Sequence, residues 1–399
     1  MNHTLITFLG KGFKGAGGYR TATYRFDDGN TYTTAYFGLA LLKQLAATGA
    51  PVDHLVILGT AASIWDALLL EEMGDGELWT ELSAQVEAGT VDDAILERVA
   101  GDVTTGLIAA GLARRVSPRV IPYGRDNREQ IAVLQKTADL VEQGDRVSMD
   151  ISHGFRTLPM LGLMSALFLK SIKQVHIMGV YYGALEMTGA ATTPVVRLDG
   201  LLRVADWLTA ISAFRASGDY GLFAPLIDDQ DDVATSLRQA GFFEKTLNIG
   251  QARKQLKNAA CHFSALAKCD PVFELFSEEL YSFTEWAGAN LFAQRQLAAA
   301  HNALATGDYL RSAALTVEAY VSHHLPQGAD PADYSAREHA KTFLAHSPAY
   351  QELKDLRNAL AHGTRANRNT YNQQTTLASR QALEERLAQL LEQIRTHIS

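Results

Sequence analysis

Apolar residues in the first half of the chain fall into short runs, and those runs alternate with segments of helical period. Residues 5–9 form the first apolar run and end in glycines, which predicts a buried strand. Residues 19–32 are rich in Thr and Tyr, with Asp27, Asp28, Gly29 and Asn30 as a turn, and predict a hairpin. A helix is expected over 34–47, with Leu39, Leu42 and Leu45 on its apolar face, then a strand over 54–58 running into Gly59 and Thr60. Further strands are expected over 119–122, 146–151 and 175–181, with helices over 127–142 and 201–214. Helices between apolar strands indicate a mostly parallel, doubly wound sheet. Beyond residue 215 the strand pattern fades. Helical periodicity covers 243–266, 273–306, 309–323, 349–362 and 379–398, with loops over 228–232 and 326–334.

Bulk composition changes this picture little. A chain of 399 residues exceeds one ordinary core, so two or more domains are expected. No apolar run approaches the roughly 20 residues of a membrane span. The opening Met1-Asn2-His3-Thr4 lacks the basic start of a signal peptide, so a cytoplasmic protein without membrane contact is expected. Cys261 and Cys269 have the spacing of neither a zinc knuckle nor a redox pair, and no metal site is expected. A formal charge of −8 argues against broad binding to duplex nucleic acid, though not against a local basic cleft.

Three strand-to-helix turns carry candidate binding chemistry. The first, Gly10-Lys11-Gly12-Phe13-Lys14-Gly15, matches the dinucleotide fingerprint in form. An extended segment follows it where a helix is needed, and Leu58-Gly59-Thr60 ends the next strand without an acid. Ala16 stands where a Walker loop has Lys. The loop still offers backbone amides, Lys11 and Lys14 to a phosphate. Thr60, Ser63 and Trp65 form the second turn, and Asp150, Ser152, His153, Gly154 and Arg156 the third. In open α/β sheets such loops converge at the carboxyl ends of the strands. Asp150 and His153 either serve a ligand there or only tie the turn together. Tyr182 and Gly183 follow the last long strand and offer an aromatic platform for a base.

Asp150-Ile151-Ser152-His153-Gly154 resembles the DxTHG signature of CRISPR-associated CARF proteins, with Ser152 keeping the hydroxyl of the usual Thr. The 8–12, 19–26, 58–65, 124–129 and 181–183 segments agree with it in order, so the resemblance covers most of residues 1–215. It implies a dimeric, Rossmann-like sensor of cyclic oligoadenylate, with cyclic tetra-adenylate favoured over hexa-adenylate and no cofactor. Cleavage of that activator by the sensor itself, through Lys11, Ser63 or Ser152, is left open.

Near the carboxyl end, Arg357 and His362 lie five residues apart on one capped helix whose apolar stripe is Leu353, Leu356 and Leu360. Alone, the spacing is more often that of a solvated helix end. The segment 290–399 resembles a HEPN ribonuclease domain, whose motif of Arg, a polar residue, three others and His is met by Arg357, Asn358 and His362. The expected organisation is a CARF-like α/β domain (1–215), a helical connector (216–289) and an all-α HEPN-like domain (290–399). The resemblance implies a metal-independent endoribonuclease acting on single-stranded RNA in type III CRISPR antiviral defence. It also implies a homodimer or higher oligomer that pools two motifs, with Arg365, Arg368 and Tyr371 available to the strand. Two other classes compete: a ligand-sensing regulatory protein without nuclease activity, and a dinucleotide-dependent enzyme.

Overall fold

A computed structural model describes residues 1–12, 14–15, 18–68, 76–154, 157–189, 191–227, 231–363 and 375–398. The chain divides into two compact units, Met1–Leu202 and Arg203–Ser399.

In the first unit the strands are β1 (His3–Leu9), β2 (Ala22–Arg25), β3 (Thr31–Thr34), β4 (His54–Gly59), β5 (Arg115–Val120), β6 (Arg146–Asp150), β7 (His176–Gly183) and β8 (Thr193–Arg197). They form the main sheet in the order β3-β2-β8-β7-β6-β1-β4-β5, and a separate two-stranded ribbon pairs Lys14–Gly15 with Gly18–Tyr19. The run from β7 through β6, β1 and β4 to β5 is parallel, whereas β8 is antiparallel to β7 and β2 to β3. The sheet is therefore mixed. Helices α1 (Phe37–Ala47), α2 (Glu77–Ala88), α3 (Asp93–Ala109), α4 (Asn127–Asp139) and α5 (Thr157–Ile172) lie between the strands in sequence. The strand β1 is buried along its whole length and feeds both faces: Leu5 and Leu9 enter one apolar cluster, Ile6 and Phe8 another. That two-sided burial makes β1 the centre of the unit.

Chain order reverses around β1. After β1 the chain forms the β2–β3 hairpin at the far edge, enters β4 and β5 on one side of β1, then crosses to β6 on the other. Such a reversal leaves a crevice at the carboxyl ends of β1 and β6, where ligands of open sheets bind.

Helix α6 (Asp199–Ser217) carries the chain into the second unit, which contains α7 (Asp231–Lys245), α8 (Ile249–Cys269), α9 (Pro271–Thr284), α10 (Phe292–Ala305), α11 (Tyr309–His323), α12 (Tyr334–Leu344), α13 (Pro348–His362) and α14 (Arg380–Ile398). One apolar cluster runs from Trp207 to Ile398, so residues 216–289 share their core with 290–399.

Several boundaries differ from the periodicity, for local reasons. The helix expected over 243–266 is two helices, because Leu247 turns to φ 64° and Asn248 caps α8 through Gln251 N–H. The one over 273–306 breaks at the 3₁₀ turn Glu285–Gly288, where Trp286 is buried and donates to Tyr220 Oη at 2.9 Å. The strand expected over 119–122 is β5, displaced upstream; it contains Pro118, tolerated because β5 is an edge strand. Helix α12 begins at Tyr334, capped by Asp333, and the pattern gave no sign of it. Of the loop expected over 228–232, residues 228–230 lie outside the described residues, and Asp231 begins α7.

At the amino ends of the strands, histidines bridge neighbours. His3 Nε2 lies 2.9 Å from Ser148 Oγ across β1 and β6, and His54 Nε2 lies 2.8 Å from Ser117 Oγ across β4 and β5. Arg115 donates to His54 Nδ1 at 2.9 Å, so that ring is neutral with its proton on Nε2. Burial, with Arg115 and Arg119 nearby, pulls its pKa down to about 4. A neutral buried imidazole that the unfolded chain protonates near pH 6.5 costs stability as acid is added. We therefore expect the stability of this unit to fall as pH drops from about 6.5 towards 4, with His54 contributing up to about 3 kcal/mol. Urea unfolding across that range should show a shallower loss for His54→Gln, and an unchanged slope would refute the assignment.

Candidate functional site

The crevice between β1 and β6 is held by one buried acid. Asp150, at the end of β6, has no exposure to solvent. Its Oδ2 accepts from Thr7 Oγ1 on β1, and its Oδ1 from Ser152 N–H at 2.7 Å. One carboxyl thus joins two strands and shapes the following turn. Ser152 Oγ accepts from Gly183 N–H at 2.6 Å, which ties that turn to the end of β7. His153 Nε2 accepts from Phe37 N–H at 3.1 Å, at the first turn of α1. An acceptor nitrogen is unprotonated, so the imidazole proton sits on Nδ1. Burial lowers the His153 pKa against the opposing pull of Asp150, and burial raises Asp150 against the pull of His153 and the hydrogen bonds from Ser152 and Thr7. The amino end of α1 also disfavours an imidazolium there.

The loop after β1 closes against this turn. A Cβ on Gly10 would lie 2.8 Å from Gly154 N, and Gly154 itself has φ 119°. Ser63 Oγ donates to Leu9 O at 2.6 Å and accepts from Thr60 N–H at 2.9 Å, while Ile64 N–H donates to Gly10 O. Trp65 is fully buried, its indole N–H bonded to Thr60 O at 2.9 Å.

Together these loops enclose a cleft of about 550 Å³ bordered by Gly10, Lys11, Gly12, Ser152, His153 and Gly154. Thr60 and Ser63 border an adjoining recess of about 220 Å³ that shares Gly10, Lys11 and Gly154. The convergence expected of the three loops is therefore present. Asp150 and Trp65 are buried among the supports and do not border either space. Tyr182 and Gly183 do not border them either; Tyr182 Oη donates to Glu186 Oε2 at 2.6 Å, which pushes the phenol up to about 12. Arg156, Phe13 and the Lys14 side chain lie outside the described residues.

The far wall escaped sequence reasoning. Arg20, Thr23, Glu186, Thr188 and Thr193 all border the cleft. Arg20 and Thr23 come from the hairpin segment, whose nearness to the glycine loop was a usable signal. Thr193 opens β8, a strand too short to read. Exposed Lys11 and Arg20 supply positive charge, and the threonines and Ser152 supply hydroxyls. Such a lining suits a ligand carrying phosphates, riboses and polar bases.

Residues 4–186 match the family model described as CRISPR system endoribonuclease Csx1, CARF domain. The first unit is CARF-like. A curated relative, the CRISPR-associated protein MJ1674 of Methanocaldococcus jannaschii, is 24% identical over 285 residues. That similarity covers 67% of this chain, more than either unit holds, so it runs through both. The chain spans less than half of the relative, at 44% of its length. The cleft residues Gly10, Lys11, Gly12, Arg20, Thr23, Ser152, His153 and Gly154 all lie within the matched span.

In the second unit, α13 is capped by Ser347, begins with Pro348 and ends at Gly363 with φ 73°. Its buried side is Ala349, Tyr350, Leu353 and Leu356, packed on α11. Arg357 and Asn358 are half-buried and His362 is exposed. The Arg357 Nε is buried without a hydrogen-bond partner among the described residues. Glu318 of α11 is ion-paired with Arg337 of α12. Arg365, Arg368 and Tyr371 lie outside the described residues, in which no cluster of three or more metal-ligating side chains and no helix able to cross a membrane occur.

Because Gly10 meets backbone rather than a movable side chain, even Gly10→Ala must separate the two loops. We expect a loss of about 1–3 kcal/mol in thermal or chemical unfolding. A variant as stable as the parent would show that the loops are not locked.

Proposed function

We propose that the chain is an endoribonuclease for single-stranded RNA, activated by cyclic oligoadenylate bound in the CARF-like cleft. The observation that carries this reading is the joining, in one chain, of that cleft to a helix ending in Arg357, Asn358 and His362. A phosphodiester of RNA contains its own nucleophile, the adjacent 2′-hydroxyl, so the chain must supply proton transfer and charge stabilisation. His362, exposed at the end of α13, is the acid or base. Arg357 stabilises the charge of the pentacoordinate phosphate through its planar fork. Among the described residues its Nε has no hydrogen-bond partner, which fits a side chain that meets substrate. Asn358, one turn before His362, orients the imidazole or the phosphate. Attack of the 2′-oxygen on phosphorus breaks the bond to the 5′-oxygen, which takes a proton; the products are a 2′,3′-cyclic phosphate and a 5′-hydroxyl. No step calls for a metal.

In the cleft, Lys11 and Arg20 meet phosphates, while Ser152 and the threonines meet riboses and bases. Cyclic tetra-adenylate is the favoured ring. A ring of linked nucleotides exceeds one such cleft, and the outer face of α5 supports its completion by a second copy. Met160, Met164, Phe168 and Ile172 recur every four residues on α5 and are 70%, 53%, 36% and 65% exposed. This apolar stripe begins next to the cleft turn, so a twofold contact along it would bring two clefts together. Met164→Lys should turn a dimer into a monomer in light-scattering measurements; an unchanged mass would place the contact elsewhere.

Labelled single-stranded RNA, incubated with the protein, EDTA and each cyclic oligoadenylate in turn, tests the activity. Cleavage should require one ring size, persist in EDTA and fall at least about a hundredfold in His362→Ala. No cleavage with any activator, or equal cleavage by His362→Ala, would sink this reading.

A further inference from the structure

The second unit contains a groove that the reaction above does not use. It occupies about 540 Å³ and is bordered by Tyr320 and His324 of α11, His339 and Phe343 of α12, and His346 and Ser347 before α13. Phe343 is 69% exposed, so its ring is presented to solvent along the groove. His324 lies with its ring 5.7 Å from that of Phe343, at 34°, and edge-on to Tyr320 at 4.9 Å. Its Nδ1 is 2.9 Å from Tyr320 O and donates to it, which leaves Nε2 outside that bond. His339 and His346 are exposed. Flat rings with donor and acceptor edges form a platform for a planar, hydrogen-bonding heterocycle, and the volume accommodates one nucleotide.

Ser347 links this groove to Arg357 and His362. It caps α13, and Ser347, Gln351, Lys354, Asn358 and His362 follow at helical spacing of four, three, four and four residues. That row lies opposite the buried Leu353 and Leu356, with Lys354 and His362 exposed. From Ser347 to His362 the helix rises roughly 22 Å, the reach of a few nucleotides. Lys354 stands midway, where a strand lying along the row needs a counter-charge.

We propose that the groove is a docking subsite for a base of single-stranded RNA, which then runs along the polar row of α13 to Arg357 and His362. The base stacks on Phe343, the imidazoles of His324, His339 and His346 meet its edge and the flanking phosphates, and Lys354 pairs with the backbone. The direction of the strand rests on the ribonuclease reading above; the stacking site does not.

The test is equilibrium binding of a fluorescent single-stranded RNA to full-length His362→Ala protein, which binds without cleaving, followed by anisotropy. Adding Phe343→Ala should weaken binding about fivefold or more, as expected for the loss of one stacked base, while Phe343→Trp retains it. His339→Ala should weaken it further. Phe343 is largely exposed, so a melting temperature equal to that of the parent is expected and separates lost contact from lost fold. Equal affinity with and without Phe343 would overturn the subsite even if the parent cleaves RNA. Weakened binding without cleavage by the parent would instead retain the subsite and reject the ribonuclease reading. No RNA affinity in any variant would leave the groove to a different occupant, such as a peptide, and would also overturn the proposal.

Discussion

The CARF-like unit depends on a carboxyl group that has no water. Asp150 must satisfy its oxygens inside the protein, and it does so with Thr7 on the neighbouring strand and the backbone of its own turn. A buried acid left short of partners costs several times what one good hydrogen bond returns. Register between β1 and β6, the path of residues 151–154 and the site of the cleft are therefore one constraint. His153 extends it by accepting the first free N–H of α1, and Ser152 by accepting from Gly183 on the next strand. Four elements are thereby fixed within one short turn.

What could be read in the sequence follows from this economy. Strands buried on both faces, such as residues 5–9 and 54–58, show as unbroken apolar runs. The turns with chemistry follow them directly. Strand β8 escaped because it is five residues long and contains Pro194, so its pattern is no stronger than that of a loop. With it went Thr193 and the far wall of the cleft. The break between α7 and α8 escaped for another reason: Leu247 adopts a left-handed backbone without a glycine to mark it. Positions that hold the loops and positions that face the cleft lie side by side in the sequence, and both Trp65 and Thr60 are buried, so only the lining of the recess separates Thr60, which borders it, from Trp65, which does not.

The second unit was legible in a different way. Most of its helical stretches were visible from period, though α12 and the breaks between neighbours were not, and the Arg357 helix was placed within a residue of its bounds, because Ser347, Pro348 and Gly363 punctuate it. The shared core was not, since apolar stripes do not say which helix they meet. Residues 203–289 and 290–399 close around one cluster, so cooperativity in this half extends across the whole helical unit.

The contact between Gly10 and Gly154 has a consequence for how such a cleft can be altered. Where Gly10 meets Gly154 there is no room for even a Cβ, so no side chain can be introduced there without moving backbone. A change of ligand preference, by selection or by design, has to be written on the rim, at positions such as Arg20, Glu186 and Thr188, where side chains can vary without moving a strand. The floor sets where a ligand lies, and the rim is where one ligand can be told from another.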